Sequence, residues 1–592
     1  MKSVGEIRTS QLVSTFGPGS IMDLPELSVV IASHETWDQG RCKDITDPRL
    51  AKKLQVKRIL TPPVPESYQT SGPTLPAYRF PLWFVCPECR KLGQENRFVR
   101  NLETGAYHCT CNDKKPRVFP SRFVVACPRG HLDDFPWFRF VHAGQGKEGC
   151  KGTDMYLEDN SNSGALSDLV VKCRHCNVSR SLEEAFRREG RGLLGDCKGN
   201  RPWLGQGNRV DCDQPLRAML RGASNIYFPV ASSALSIPPF SSRLHKAVAA
   251  LEERLADVTS LEVLRQLMKM RSLLHELGDF APDEVWEAIQ FQRNYRLGPE
   301  QDLLYPEWQA ILDGSDGSDE TDFETEEMAV PGSFRSWVSR VIAVRRLLET
   351  RCLQGFTRID QPPDPITLIL KETEEDLSRI SPIGKNYRPS WLPGIETRGE
   401  GIFIALEDEK VREWEARVGI TSGKKMESAF RQYCEDRELT KHYVPHFPGV
   451  RYALLHSLAH VLMRQLCLES GYSHTSLRER IYARRGNNQD MAGLLIYTAT
   501  PDSEGSLGGL VELAKTERIE SILWNGLQEA FLCSADPLCA EHKPGMTGSL
   551  NGAACHACLL APETSCENSN LFLDRSFLVP TVSNKDFAFF HI

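Results

Sequence analysis

The sequence predicts a multi-domain protein of mixed α/β (α+β) class, and three observations lead there. A chain of 592 residues exceeds what one hydrophobic core organises and points to several domains. Eight of its 19 cysteines fall in pairs two or three positions apart. Apolar stretches with helical period alternate with short β-branched runs. The expected order is a β-rich segment over 1–80, a cysteine-paired zinc-ribbon region over 81–225 and a helical insert with an acidic loop over 226–355. A mixed α/β linker domain over 356–440 and a C-terminal α/β domain with a four-cysteine zinc module over 441–592 complete it.

Hydrophobic content of 41% and charged content of 25% are ordinary for globular protein. A net charge of −7 leaves any nucleic-acid contact to local basic patches. The N-terminus, Met1-Lys2-Ser3-Val4-Gly5-Glu6, lacks an apolar signal core, and no run of about 18 apolar residues occurs. The expected setting is therefore the reducing cytoplasm with no membrane partner, where paired cysteines point to metal rather than disulfides.

In the first segment, Phe16-Gly17-Pro18-Gly19-Ser20 reads as a turn and Ser28-Val29-Val30-Ile31-Ala32 as a buried strand. Cys86-x-x-Cys89 with Cys109-x-Cys111 has the spacing of a zinc ribbon, and Cys173-x-x-Cys176 with Cys197 and Cys212 reads as a second. Cys127 and His131, with Cys150, supply three ligands and no evident fourth. They read first as buried thiols, which pack well in cores, with an incomplete metal site as the alternative. Arginines are dense here, and Arg187, Arg188, Arg191 and Arg201, interleaved with Phe186 and Trp203, suit phosphates and unstacked bases. A solvated charged face accounts for them as well.

From Ser241 to Leu277, Leu244, Val248, Leu251 and Leu255 recur at helical spacing, and Thr259-Ser260-Leu261-Glu262 caps a second helix. Asp313 to Glu327 reads as a mobile acidic loop able to regulate access to a basic groove, or as a plain solvated linker. A short helix is expected through Trp337, Val341, Ile342, Val344 and Leu348, carrying Arg340, Arg345, Arg346 and Arg351. The proline-rich stretch from Gln361 to Pro365 marks a boundary, and Gly401 to Leu406 is the clearest strand beyond it.

In the last segment, Tyr452 to Met463 is a strongly apolar helix on which His456 and His460 share a face. Ser457 stands where a zinc protease of H-E-x-x-H type has its glutamate, so structural histidines are expected. The strand Gly493 to Thr498 leads into Gly505-Ser506-Leu507-Gly508-Gly509 and a further helix, a junction that suits a backbone phosphate contact or a tight turn. No GK[ST] run occurs, which disfavours a nucleotide motor. Cys539, Cys555, Cys558 and Cys566 complete a tetrahedral S4 set, in a stretch with so little apolar content that metal must supply much of its folding energy.

The helix bearing His456 and His460, the 505–509 loop and the Cys539, Cys555, Cys558, Cys566 quartet resemble the four-cysteine domain of certain bacterial DNA-repair helicases. Three N-terminal phrases extend the likeness: Ser10-Gln11-Leu12-Val13-Ser14-Thr15-Phe16-Gly17-Pro18-Gly19, the stretch from Cys127 to Trp137, and that from Arg221 to Pro229. Over nearly its whole length the sequence resembles the DrmB family, helper subunits of the DISARM anti-phage system. The resemblance implies a helicase partner, DrmA, that carries the missing motor. It also implies engagement of DNA with a single-stranded end, and methylation as the mark that separates host from phage DNA. It carries over the zinc quartet and, beyond it, the two ribbons, but no catalytic residue.

The expected function is a non-catalytic, DNA-engaging accessory to a helicase in antiviral defence, with three structural Zn2+ sites. Two other classes are compatible: a metal-dependent nuclease using His456 and His460 or the Asp133–Asp134 pair, and a protein scaffold without DNA contact.

Overall fold

The computed structural model describes residues 5–591 apart from 26, 64–74, 102–104, 148, 153, 162–164, 271–274, 296–301, 316–320, 362–379, 438–445, 487–488, 499–508 and 537. The chain forms two compact units, each assembled from separated stretches. One comprises 1–43, 60–232 and 352–394; the other comprises 44–59, 233–351 and 395–592. Among the described residues no helix is long and apolar enough to cross a membrane.

The first unit carries a six-stranded sheet in the order Phe119–Pro120, Trp83–Val85, Lys91–Gln94, Met155–Asp159, Leu169–Cys173, Val178–Ser181. Its strands alternate as a half-buried sheet should: Leu169, Val171 and Cys173 point inward, while Val170 and Lys172 are partly exposed. A three-stranded sheet places Phe123–Ala126, buried at every position, between Leu132–Asp134 and Arg217–Leu220. Phe123, Phe135, Trp137 and Phe140 fill the core between these sheets and the helix Trp137–His142, with the Phe135 and Trp137 rings 4.4 Å apart.

Buried Arg358 ties this unit together. It donates from Nη2 to the Gly19 carbonyl at 2.6 Å, from Nε to the Gly130 carbonyl at 2.8 Å, and from Nη1 to the Ile226 carbonyl. The Phe356 ring lies 4.6 Å from its guanidinium. Gly130 has φ +77, and a Cβ there would come within 2.2 Å of Ser381 Oγ, so only glycine fits this turn.

In the second unit the strand Val338–Thr357 up to Arg351, the strand Trp391–Leu406 from Ile395 on, and the strands Gly493–Thr498 and Leu477–Tyr482 lie side by side, with Phe403 opposite Leu495 and Ile481 opposite Leu494. The expected short helix at 337–348 is instead the beginning of the strand Val338–Thr357. Val341 and Ala343 face one core and Ile342 and Val344 another. A strand buried on both faces presents a continuous apolar run, whose spacing mimics a helix by coincidence.

The acidic stretch is also not wholly a loop. Glu324–Met328 forms a strand antiparallel to 341–346, and its carboxylates pair with the arginines beside them. Glu324 meets Arg346 at 2.8 Å, Glu327 meets Arg340 at 3.0 Å, and Glu326 pairs with Arg345. Residues 316–320 of that stretch lie outside the described residues.

The helical insert forms as its spacing predicts, with helices Arg243–Ala250, Leu261–Lys269 and Pro282–Asn294 around Val248, Leu251, Leu255 and Leu264. Ser260 caps the second of them by accepting from Val263 N at 3.3 Å. The helix Gly449–Ser470 is buried nearly all round, as an evenly apolar helix must be, and packs against Thr516–Ala530 and the sheet.

Candidate metal centres

The chemistry-bearing side chains gather into five groups among the described residues, each with four ligand atoms within 4.8 Å of one another. Cys86 and Cys89 sit in the tight turn of a hairpin between Trp83–Val85 and Lys91–Gln94, and the Cys86 N–H donates to the Lys91 carbonyl at 2.9 Å. Cys109 and Cys111 arrive just past the strand Tyr107–His108. Cys86 Sγ lies 3.9 Å from Cys111 Sγ, and Cys89 Sγ lies 3.7 Å from Cys109 Sγ. Tetrahedral zinc with bonds of ~2.3 Å holds sulfurs ~3.8 Å apart.

The structure does not bring Cys197 and Cys212 to Cys173 and Cys176. It brings them to Cys127 and His131. Cys127 directly follows the strand Phe123–Ala126, and the turn after it returns His131, with Cys127 Sγ 3.4 Å from His131 Nδ1. Cys212 Sγ is 3.9 Å from Cys127 Sγ, and Cys197 Sγ is 3.6 Å from His131 Nδ1. The Cys127 thiol hydrogen-bonds Cys197 and holds it down at about 4. Gly199 N–H also donates to Cys197 Sγ at 3.3 Å, so the position favours a thiolate.

Cys173 and Cys176 meet Cys150 and His142 instead. His142 closes the helix Trp137–His142; its Nδ1 bonds the Phe138 carbonyl at 2.7 Å, and its Nε2 faces Cys176 Sγ at 3.3 Å. That arrangement, one ring nitrogen spent on a carbonyl and the other turned inward, is the usual one for a ligating histidine. Cys150 is thereby placed away from Cys127. In chain order the ligands of the Cys127 group enclose those of the His142 group on both sides.

Near the C-terminus Cys539, Cys555 and Cys558 come together, but the fourth member is Cys533, three residues past the helix Thr516–Ala530. Cys533 Sγ lies 3.5 Å from Cys555 Sγ, Cys539 Sγ 3.6 Å from Cys558 Sγ, and Cys555 Sγ 3.6 Å from Cys558 Sγ. Cys558 is held down at about 5, first by a hydrogen bond from Cys539. Cys566 lies apart from this quartet, with His456, His460 and Glu479.

Reading the sequence missed His142, Cys533 and Glu479. Cys533 offered a signal, a thiol six positions before Cys539; a lone histidine and a lone strand glutamate offered none.

The Asp133–Asp134 pair is held structurally. Asp134 Oδ1 accepts from Leu82 N at 3.0 Å, and Asp133 accepts from Asp134 N at 2.9 Å and from the Asn200 side chain. Withdrawal from water, and then the Asp133 charge, push Asp134 up to about 7. Of the arginines, Arg187 and Arg188 are exposed and Arg191 and Arg201 half-buried; Arg187 also meets Glu183 at 2.8 Å. Glycines 505 and 508 lie outside the described residues.

Residues 8–228 match a domain of unknown function, DUF8724, and residues 458–559 match the MrfA Zn-binding domain. A "DISARM protein DrmB" from Bacillus paralicheniformis (strain ATCC 9945a / NCIMB 11709 / CD-2) is 32% identical over 587 residues, covering 96% of this chain and 99% of the relative. A crystal structure of the DUF1998 helicase MrfA bound to DNA aligns over 38% of this chain and 22% of its own, at 11% identity. Its TM-score is 0.18, a likeness too weak to establish a common fold. The MrfA-type zinc domain and the four-ligand groups make structural zinc, at more than one site, a property of this chain.

Proposed function

Because this chain belongs to the DrmB family of DISARM proteins, we propose that it is a non-catalytic accessory subunit that engages DNA with a single-stranded end beside a helicase subunit, DrmA, in defence against phage. The observation that carries this reading is the full-length identity to a DISARM protein DrmB, 32% over 96% of the chain. The absence of GK[ST] from the 592 residues supports a protein that takes its motor from a partner.

Zn2+ is held by Cys86, Cys89, Cys109 and Cys111; by Cys127, His131, Cys197 and Cys212; by His142, Cys150, Cys173 and Cys176; and by Cys533, Cys539, Cys555 and Cys558. Sulfur-rich shells whose four ligand atoms lie within 4.8 Å of one another fit this ion. When bound, zinc would supply rigidity to the loops that carry these ligands. The chain's own part is to hold these loops so that Arg187, Arg188 and Arg191 face phosphates.

The test is binding of a labelled duplex with a single-stranded end, at several salt concentrations, by the chain with its helicase partner. Charge reversal at Arg187, Arg188 and Arg191 is expected to weaken binding and flatten its salt dependence. Unchanged affinity and slope would sink the DNA contact and leave a scaffold; ATP hydrolysis by the purified chain alone would sink the accessory role.

A further inference from the structure

We propose that His456, His460, Glu479 and Cys566 form a fifth, closed metal site that holds a divalent transition cation of zinc type by two imidazoles, a carboxylate and a thiolate. The four come from three places. His456 and His460 lie one turn apart on the helix Gly449–Ser470, Glu479 lies on the strand Leu477–Tyr482, and Cys566 lies in the C-terminal segment.

Their ligand atoms already converge. His456 Nε2 is 3.0 Å from Glu479 Oε1 and 3.1 Å from Cys566 Sγ, and His460 Nε2 is 3.3 Å from the same Glu479 oxygen. These lie within a few tenths of an ångström of the ~3.3–3.6 Å edges of a tetrahedral shell with N, O and S ligands.

Three of the four ligands are also prepared from behind, whereas His456 Nδ1 is buried without a hydrogen-bond partner. His460 Nδ1 bonds the Leu559 carbonyl at 2.7 Å, which leaves the Nε2 lone pair turned inward. Cys566 Sγ accepts from Asn570 N at 3.1 Å, as a thiolate would. Glu479 Oε1 accepts from Glu567 N at 3.2 Å, whereas Glu479 Oε2 is fully buried and has no hydrogen-bond partner. A buried carboxylate oxygen without a partner is costly; a cation bound to this carboxylate neutralises its charge and lessens that cost.

Charge closes the argument. A dication balances one carboxylate and one thiolate beside two neutral imidazoles, so the filled site brings no net charge into the interior. The side chains of His456, His460 and Glu479 are 0% exposed, which leaves no open position for water or substrate. Ser457 Oγ, between the histidines, is spent on the Ala453 carbonyl at 2.7 Å. This is a staple that pins the long helix to the strand and the C-terminal segment, in contrast to the open site of a hydrolase.

The experiment is elemental analysis of the purified full chain beside Glu479→Gln and Cys566→Ser. Each variant is expected to hold one metal fewer per molecule than wild type. A metal content equal to wild type in both would overturn the proposal. Should neither variant fold, crystals of the wild-type chain decide through anomalous scattering above and below the metal's absorption edge. A peak among the four ligand atoms supports the site, and its absence there overturns it.

Discussion

Arg358 donates from Nη2 to the Gly19 carbonyl at 2.6 Å, and its other two bonds reach Gly130 and Ile226. The three stretches whose sequences carry the likeness to the DrmB family thus meet on one guanidinium. Among the described residues no carboxylate pairs with it; burial lowers it to about 9, with Tyr227 and Cys127 opposing. Planar, forked geometry is what three separate carbonyls need. Arg358→Met is expected to cost about 3 kcal/mol or more, since it orphans several buried carbonyls, and Arg358→Lys to recover only part. Thermal unfolding followed by proteolysis of 1–43 and 60–232 measures both.

His142→Ala distinguishes the observed ligand sets from the ribbon of Cys173, Cys176, Cys197 and Cys212 expected from spacing. The loss of one zinc per molecule is expected, because His142 Nε2 faces Cys176 at 3.3 Å. Cys467→Ser, outside every group, should leave the metal content unchanged. Inductively coupled plasma mass spectrometry reads both.

At the C-terminus, Cys533→Ser is expected to empty the quartet of Cys539, Cys555 and Cys558. Cobalt substitution reports it without a count: an all-sulfur shell gives an intense thiolate-to-cobalt absorption, which should weaken in this variant.

Acid should loosen the second unit through Glu349. Burial alone would raise this carboxyl, but Arg478, 2.8 Å away, and Arg351 outweigh it and hold it at about 2; Tyr497 Oη donates to it at 3.0 Å. Its folded value lies below its unfolded one. The stabilisation is therefore complete above about 4.5 and lost as pH falls toward 2. Glu349→Gln should flatten the dependence of urea midpoint on pH in that window.

The insert helices were legible from their local period and cap, and the strand Gly493–Thr498 and the long apolar helix as continuous apolar runs of strand and helix length. The first cysteine quartet was legible because both its pairs lie close in sequence. Two kinds of feature were not. The strand Val338–Thr357 packs on both faces, so no alternation marks it. The Cys127 and His142 groups take partners across gaps of 85 and 34 residues, and spacing favours the nearest knuckle even when the fold passes it by. Cys566 was assigned to the nearest thiols for the same reason, although the helix presents two imidazoles to it.

Enclosure of one ligand set within another favours filling the inner set first. Joining Cys127 to Cys212 closes a ring of 85 residues, whereas joining His142 to Cys176 closes one of 34. Ring closure grows costlier with length, and pinning the inner ring first shortens the outer by a margin worth about 0.5 kcal/mol. A nascent chain short of metal would therefore fill the His142 shell before the Cys127 shell. Scarcity would be registered first at the turn 127–131, whose Gly130 carbonyl Arg358 grips.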